Sequence, residues 1–291
     1  MNTSQNRYEI FLKVAELGNI TLAAEALSYT QSGVSHAVAA MEREAGCLLF
    51  HRSKTGVTLT ANGKKLIPYI QQLVSRQHAL DQMMDALTKR VAGKLRIGSF
   101  TSFTAIHMAG IIRDFQAQYP DVSIELVNGP YREIEQRILS DRLDCGFLSG
   151  TENDALAFHP LFHDEMFAIA SVSHELAGAA SLELKRLNEF PLISQFSGSD
   201  HDVQQIFRTA GIRPQTRFIL DDDISVMGVV SQGMGIALMP EMMIRTSSFE
   251  LARIPLEPRQ FRTIGIASLP SSETTLLVRT FIKYCKSKYS A

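Results

Sequence analysis

Apolar positions in the first 45 residues recur at helical spacing in three short runs. Tyr8, Phe11, Leu12 and Ala15 share one face and stop at Gly18. A shorter helix is predicted over residues 21–27, with Thr21 as its N-cap. After Ser28-Tyr29-Thr30, a third helix is predicted over 31–45, ending at Gly46, with Val34, Val38, Met41 and Ala45 on its core stripe. Residues 50–59 then read as two β-prone runs around Gly56. Helix, short helix, three-residue turn, longer helix and hairpin is the order of a winged helix-turn-helix.

The pattern then lengthens. Leu66, Ile70, Leu73, Gln77, Leu80, Met84 and Leu87 lie four and three residues apart in alternation, the seam of a coiled coil with one polar break at Gln77. Gln71, Gln72, Ser75, Arg76, Asp81, Gln82 and Asp85 flank it and leave a narrow apolar stripe, which suits one partner helix. Residues 60–90 are therefore expected to dimerise the chain. Pro68 is expected to bend this helix or to lie in its first turns.

Beyond Gly93, apolar β-type runs alternate with amphipathic stretches, predicting an α/β region over 91–291. Strands at 94–98, 122–127 and 143–148 alternate with helices ending at Tyr119 and Ser140, a βαβαβ order that implies a parallel sheet with right-handed crossovers. A second unit begins near Glu165, and a final strand (263–267) and helix (275–286) can pack on either unit. The expected lobes are about 91–161 with 266–291, and about 162–265. Ligands of such sheets bind at the carboxyl ends of strands. The loops there offer Thr101, Ser102, Phe103, Asn128, Gly129, Phe147, Ser149, Gln195, Phe196 and Ser197 as an effector site. Two of these loops precede helices, whose N-termini favour an anion. The same hydroxyls also serve as caps and turn formers, and the phenylalanines as core.

The length, 291 residues, suggests about two domains. A formal net charge of −1 argues against a globally basic nucleic-acid binder, but residues 46–65 hold Arg52, Lys54, Lys64 and Lys65 and no acid. That local excess changes the reading of the third helix, where Ser32, Ser35, His36, Ala39 and Arg43 gather opposite the core stripe. Small hydroxyls let a helix enter the major groove, where Gln31, Ser32, Ser35 and His36 reach base edges, while Arg52 and Lys54 on a wing hold phosphates.

Three widely spaced cysteines, Cys47, Cys145 and Cys285, exclude a disulfide-dense secreted domain, and Cys145 reads as a core thiol. No signal-peptide core or membrane span is apparent, so a cytoplasmic protein is expected. No nucleophile motif, zinc spacing or dinucleotide fingerprint is present. Gly233-Met234-Gly235 follows a helix and reads as its C-terminal cap, and Asp221-Asp222-Asp223 as a solvated helix start. No enzymatic activity, metal or cofactor is expected. The rival class is an enzyme or solute-binding protein with a helical addition, which would bind or turn over a ligand without affinity for DNA.

Residues 11–27, Tyr29-Thr30-Gln31-Ser32-Gly33-Val34-Ser35, Leu49-Phe50-His51-Arg52 and 56–63 together resemble the N-terminal domain of LysR-type transcriptional regulators. Ser32 stands where that family usually has proline, and Leu22 where it often has a basic or polar residue. The resemblance implies a winged helix-turn-helix over 1–59, a linker helix over 60–90 and a two-lobed, periplasmic-binding-protein-like effector domain over 91–291. It also implies sequence-specific binding to promoter DNA through Thr21, Thr30, Gln31, Ser32, Ser35, His36, Arg43, Arg52 and Lys54. A small effector, expected to be an anionic metabolite, would bind between the lobes. The implied partners are double-stranded DNA, a second copy in a homodimer or homotetramer, the effector and RNA polymerase, with no membrane.

Overall fold

The structure, a computed structural model, describes residues 3–53, 56–87, 90–151, 153–195, 201–272 and 275–289, with backbone alone at 3–6, 78–79, 82–83 and 85–87. The chain forms two compact units, Met1–Met84 with Ser140–Arg142, and Asp85–Leu139 with Leu143–Ala291. No helix among the described residues is long and apolar enough to cross a membrane.

The first unit contains α1 (Thr3–Leu17), α2 (Ile20–Leu27), α3 (Gln31–Ala45), β1 (Phe50–Ser53), β2 (Gly56–Leu59) and the start of α4 (Ala61–Leu87). Local chemistry sets these ends. Asn19, rather than Thr21, caps α2, its Oδ1 accepting the N–H groups of Thr21 and Leu22 at 2.8 and 3.2 Å. Thr30 caps α3 and Gly46 ends it with φ 65°. The antiparallel β1–β2 wing is tied to the end of α1 by Val57 N–H donating to Gly18 O at 2.7 Å. Gly56 is required there: its φ is 138°, and a Cβ would sit 2.7 Å from Gly18 O. Phe11, Val14, Val34, Val38, Met41, Leu49 and Phe50 fill the core, whereas Ala45 is exposed and leaves the expected stripe.

The start of α4 departs from expectation. Ile70 is buried in this same core, and Leu66, Ile67 and Val74 pack against it. Leu66 and Ile70 are thus intramolecular packing residues, because the helix turns its first apolar positions into the core of the winged unit. Among the described residues, the exposed large apolar side chains of α4 are Tyr69, Leu73, Leu80 and Met84, at 71%, 45%, 52% and 58% exposure. Gln77 donates to Asp81 Oδ1 at 3.0 Å. Pro68 lies inside the helix. The Leu87 side chain lies outside the described residues.

The second unit continues with β3 (Gly93–Ser99), α5 (Thr101–Phe103), which runs through a π turn (Thr104–Met108) into α6 (Ala109–Gln118), then β4 (Val122–Asn128), α7 (Tyr131–Leu139), β5 (Cys145–Ser149) and β6 (Ala157–Ser171). After two 3₁₀ turns around β7 (Leu182–Glu183) come β8 (Leu192–Gln195), α8 (His201–Ala210), β9 (Thr216–Leu220), α9 (Asp223–Ser231), β10 (Ala237–Pro240), α10 (Glu241–Arg245), β11 (Leu251–Ser268) and α11 (Leu276–Tyr289). The main sheet has the order β10-β6-β11-β5-β3-β4, with β3 parallel to β4 and β5. Its central pair, β6 and β11, is antiparallel and far longer than the sequence pattern suggested. One end of that pair enters a core with Leu95, Phe103, Phe115, Phe147, Ile264 and Phe281. The other end enters the apolar clusters of Met166, Ala168, Leu192 and Ile254, and of Ile169, Ile193, Val226 and Met239. The two lobes therefore share two strands, and α11 packs on the first lobe.

Candidate DNA-binding face and effector cleft

On α3, Gln31, Ser32, His36 and Arg43 are exposed, and Ser35 is half-buried. The Thr30 hydroxyl is committed to the fold: it accepts Gly33 N–H at 3.1 Å and lies 3.2 Å from Ser32 Oγ. Thr21 is exposed at the start of α2. Arg52 on β1 leans back onto α3, its Nη1 donating to Ser35 Oγ at 3.3 Å and its Nη2 lying 3.9 Å from Glu42 Oε2. Glu42 also fastens the wing, with Oε1 accepting the N–H groups of Leu49 and Phe50 at 2.9 and 3.1 Å. Helix and wing thus form one surface with Ser35 and Arg52 at the join, and Lys64 and Lys65 are exposed in the same unit. Lys54 lies outside the described residues.

In the second unit a cavity of about 320 Å³ opens between the lobes. Thr101 and Ser102 at the start of α5, Asn128 and Gly129 after β4, and Gln195 at the end of β8 line it, as the strand-end rule predicts. Thr101 Oγ1 donates to Asn128 Oδ1 at 3.4 Å, and Asn128 Nδ2 donates to Thr104 Oγ1 at 3.0 Å. Ile193, Val226, Leu238 and Met239 supply an apolar wall. Among the described residues no group of three or more His, Cys, Asp or Glu side chains is arranged to hold a metal ion.

Both units match family descriptions. Residues 5–64 match the bacterial regulatory helix-turn-helix protein, lysR family, and residues 88–290 match the LysR substrate binding domain. The chain belongs to the LysR family of DNA-binding transcriptional regulators. It is 31% identical over 238 residues to the HTH-type transcriptional regulator YofA of Bacillus subtilis, covering 80% of each chain. It is 27% identical over 286 residues to YvbU of the same organism, an uncharacterized HTH-type transcriptional regulator, covering 97% of this chain and 98% of that one. Among solved structures it is similar to HinK, a LysR family regulator from Pseudomonas aeruginosa, with TM-score 0.62, 25% identity and 98% of each chain covered.

Several residues of this LysR-family chain sit elsewhere than expected. Phe103 and Phe147 do not wall the cavity: both are fully buried and stack on each other with ring centroids 4.2 Å apart. The aromatic rings that line it are Phe100 and Tyr131, and the Arg262 guanidinium lies 5.2 Å from the centre of the Phe100 ring. Ser149 does not line the cavity but stands behind a residue that does, donating to Asp202 Oδ1 at 2.6 Å. Phe196 and Ser197 lie outside the described residues. The acidic triplet is also not simply a solvated helix start. Asp222 caps α9, accepting Ser225 N–H and Oγ–H at 2.8 and 2.7 Å, and Asp223 accepts a hydrogen bond from Gln195 Nε2 in the cavity wall.

Sequence reasoning missed the hub of the cleft. Arg262, buried on β11, donates through Nε and Nη2 to Asp164 Oδ2 at 2.9 and 2.7 Å, and through Nη2 to Ser102 Oγ at 3.2 Å. Its Nη1 donates to Tyr131 Oη at 2.9 Å and Asp202 Oδ2 at 3.4 Å. Burial opposes this charge, but Tyr131, Asp202 and Asp164 outweigh it and hold the guanidinium pKa above its usual value. Burial likewise pushes the Tyr131 phenol up. The available signal was the β11 alternation, in which Arg262 shares parity with buried Ile264 and Ile266.

Proposed function

We propose that this regulator binds promoter DNA as a homodimer or higher oligomer and that a small molecule in the interlobe cleft biases its arrangement on DNA. The observation that carries the reading is the placement of Thr101, Ser102, Asn128, Gly129 and Gln195 around one cavity in a chain with a helix-turn-helix unit. Gln31, Ser32, Ser35, His36 and Arg43 enter the major groove, while Arg52 positions the wing against phosphate. Exposed Leu73, Leu80 and Met84 on α4 offer a narrow seam for a second copy. Effector binding shifts the balance between two arrangements of the oligomer, and the coupling is reciprocal with DNA affinity.

A gel shift with the DNA upstream of the protein's own gene tests the reading. Two wings and two recognition helices make roughly 6–8 phosphate contacts, so the log–log salt slope is expected at about −5 to −7. A slope near zero on that DNA refutes it in favour of a ligand-binding protein without DNA affinity.

A further inference from the structure

The charge of the cleft narrows its ligand. Its described lining carries four carboxylates, Asp202, Asp221, Asp222 and Asp223, and one guanidinium, Arg262. A guanidinium has five N–H groups. Those of Arg262 are spent on Asp164, Ser102, Tyr131 and Asp202, so none remains for an incoming carboxylate. An anion in this cavity would meet a net negative wall whose cation is already neutralised, against the expected anionic metabolite.

We propose that the effector carries a protonated amine, which sits against the Asp221–Asp223 edge of α9 while its apolar part contacts Ile193, Val226 and Leu238. This rests on reading the cleft as the effector site; the acids decide the charge of the ligand, not the existence of the cavity. An N⁺–H group at Asp223 gains a charge-assisted hydrogen bond in a partly desolvated wall, where such bonds are about twice as strong as neutral ones. Burial pushes the Asp223 carboxyl up to about 6, with Arg262 opposing and Asp222 adding to the rise. An adjacent ammonium lowers that value again, so amine affinity falls as pH drops through about 6.

The test is a thermal-shift screen of the full-length protein at pH 7.5 with skeleton-matched pairs. The probes are isoamylamine, leucine and 4-methylpentanoate; putrescine and succinate; agmatine and 4-guanidinobutanoate; with MgCl2 as a separate arm. Compounds that shift Tm go on to calorimetry against wild type, Asp223→Asn, Asp221→Asn and Thr101→Trp, the last blocking the cleft mouth. Expected is stabilisation by at least one amine-bearing probe and not by its amine-free partner. Its Kd should weaken about tenfold in Asp223→Asn and on moving to pH 5, and binding should be lost in Thr101→Trp. If a carboxylate or Mg²⁺ binds in preference and Thr101→Trp blocks it, the amine is refuted and the cleft reading stands. If an amine binds unchanged in both Asp223→Asn and Thr101→Trp, both readings fall. If no amine shifts Tm, the proposal is overturned.

Discussion

Arg262 and Asp164 are cross-strand partners on β11 and β6, and two guanidinium N–H groups converge on a single carboxylate oxygen, Asp164 Oδ2. Both side chains are almost wholly buried, at 7% and 3% exposure. The other oxygen of Asp164 accepts Met242 N–H at 3.1 Å, so the pair also anchors the start of α10. Breaking a buried pair leaves one charge uncompensated, which is the costly case. Asp164→Asn keeps the shape and is expected to lower stability by about 3 kcal/mol, read from the denaturant midpoint; an unchanged midpoint contradicts the assignment of Arg262 as the hub.

Burial raises Asp223 from the ordinary 3.8 to about 6. A carboxyl raised on folding costs stability where it is ionised, above about pH 6, and costs nothing below about pH 4, where both states hold the proton. Asp223→Asn is therefore expected to raise stability by about 3 kcal/mol at pH 8 and to match wild type near pH 4. Melting curves across that window check it, and equal gains at both pH values would exclude the carboxyl as the cause.

Along α4 two substitutions separate packing from assembly. Ile70→Ala empties a buried site in the winged unit and is expected to cost about 2–4 kcal/mol without changing mass in solution. Leu80→Glu places a charge on an exposed position and is expected to yield monomers by sedimentation with little loss of stability. Intact dimers of the Leu80→Glu variant would move the seam elsewhere.

At the join of helix and wing, Ser35→Glu puts a carboxylate among phosphates and displaces the Arg52 contact. Footprinting is expected to show no specific protection, whereas Arg52→Ala should weaken all sequences alike and reduce the salt slope by about one per subunit. Unaltered footprints for Ser35→Glu would dismiss α3 as the reading element.

Cys145 and Cys285 are buried, and burial pushes both thiols well up, so neither presents a thiolate at neutral pH. Titration with a chromogenic disulfide on native protein is expected to count Cys47 alone, with all three reacting in denaturant. Prompt reaction of a second thiol would show that Cys145 or Cys285 is accessible in the native fold.

The winged unit was legible almost to the residue because each boundary has a local cause: Gly18, Thr30 as cap, Gly46 and Gly56 act within a few positions of themselves. Thr21 was misjudged as a cap because Asn19, two residues earlier, accepts the N–H groups of Thr21 and Leu22 and so starts the helix sooner. On α4, spacing marks an apolar stripe but not what covers it: Leu66 and Ile70 pack into the core of the winged unit, while Leu73, Leu80 and Met84 are exposed. Strand-end loops pointed to Thr101, Ser102, Asn128, Gly129 and Gln195, but local pattern could not distinguish Phe100, which lines the cavity, from Phe103, whose ring is centred 5.7 Å from it and is sealed in the core. Arg262, Asp164 and Asp202 escaped because they lie far apart in the chain: Arg262 meets Asp164 only through the register of β6 with β11, and Asp202 joins them from α8.

That shared ladder also limits how the lobes can move. β6 (fifteen residues) and β11 (eighteen residues) run through both lobes, but their pairing is interrupted by register shifts between Pro255 and Gln260 and between Ile264 and Gly265. Paired strands resist bending and twist along their length, whereas an irregularity in the ladder bends locally. Any rotation of one lobe against the other therefore has two natural places to concentrate, and the one between Pro255 and Gln260 lies on the same strand as Arg262, within a few residues of the buried hub.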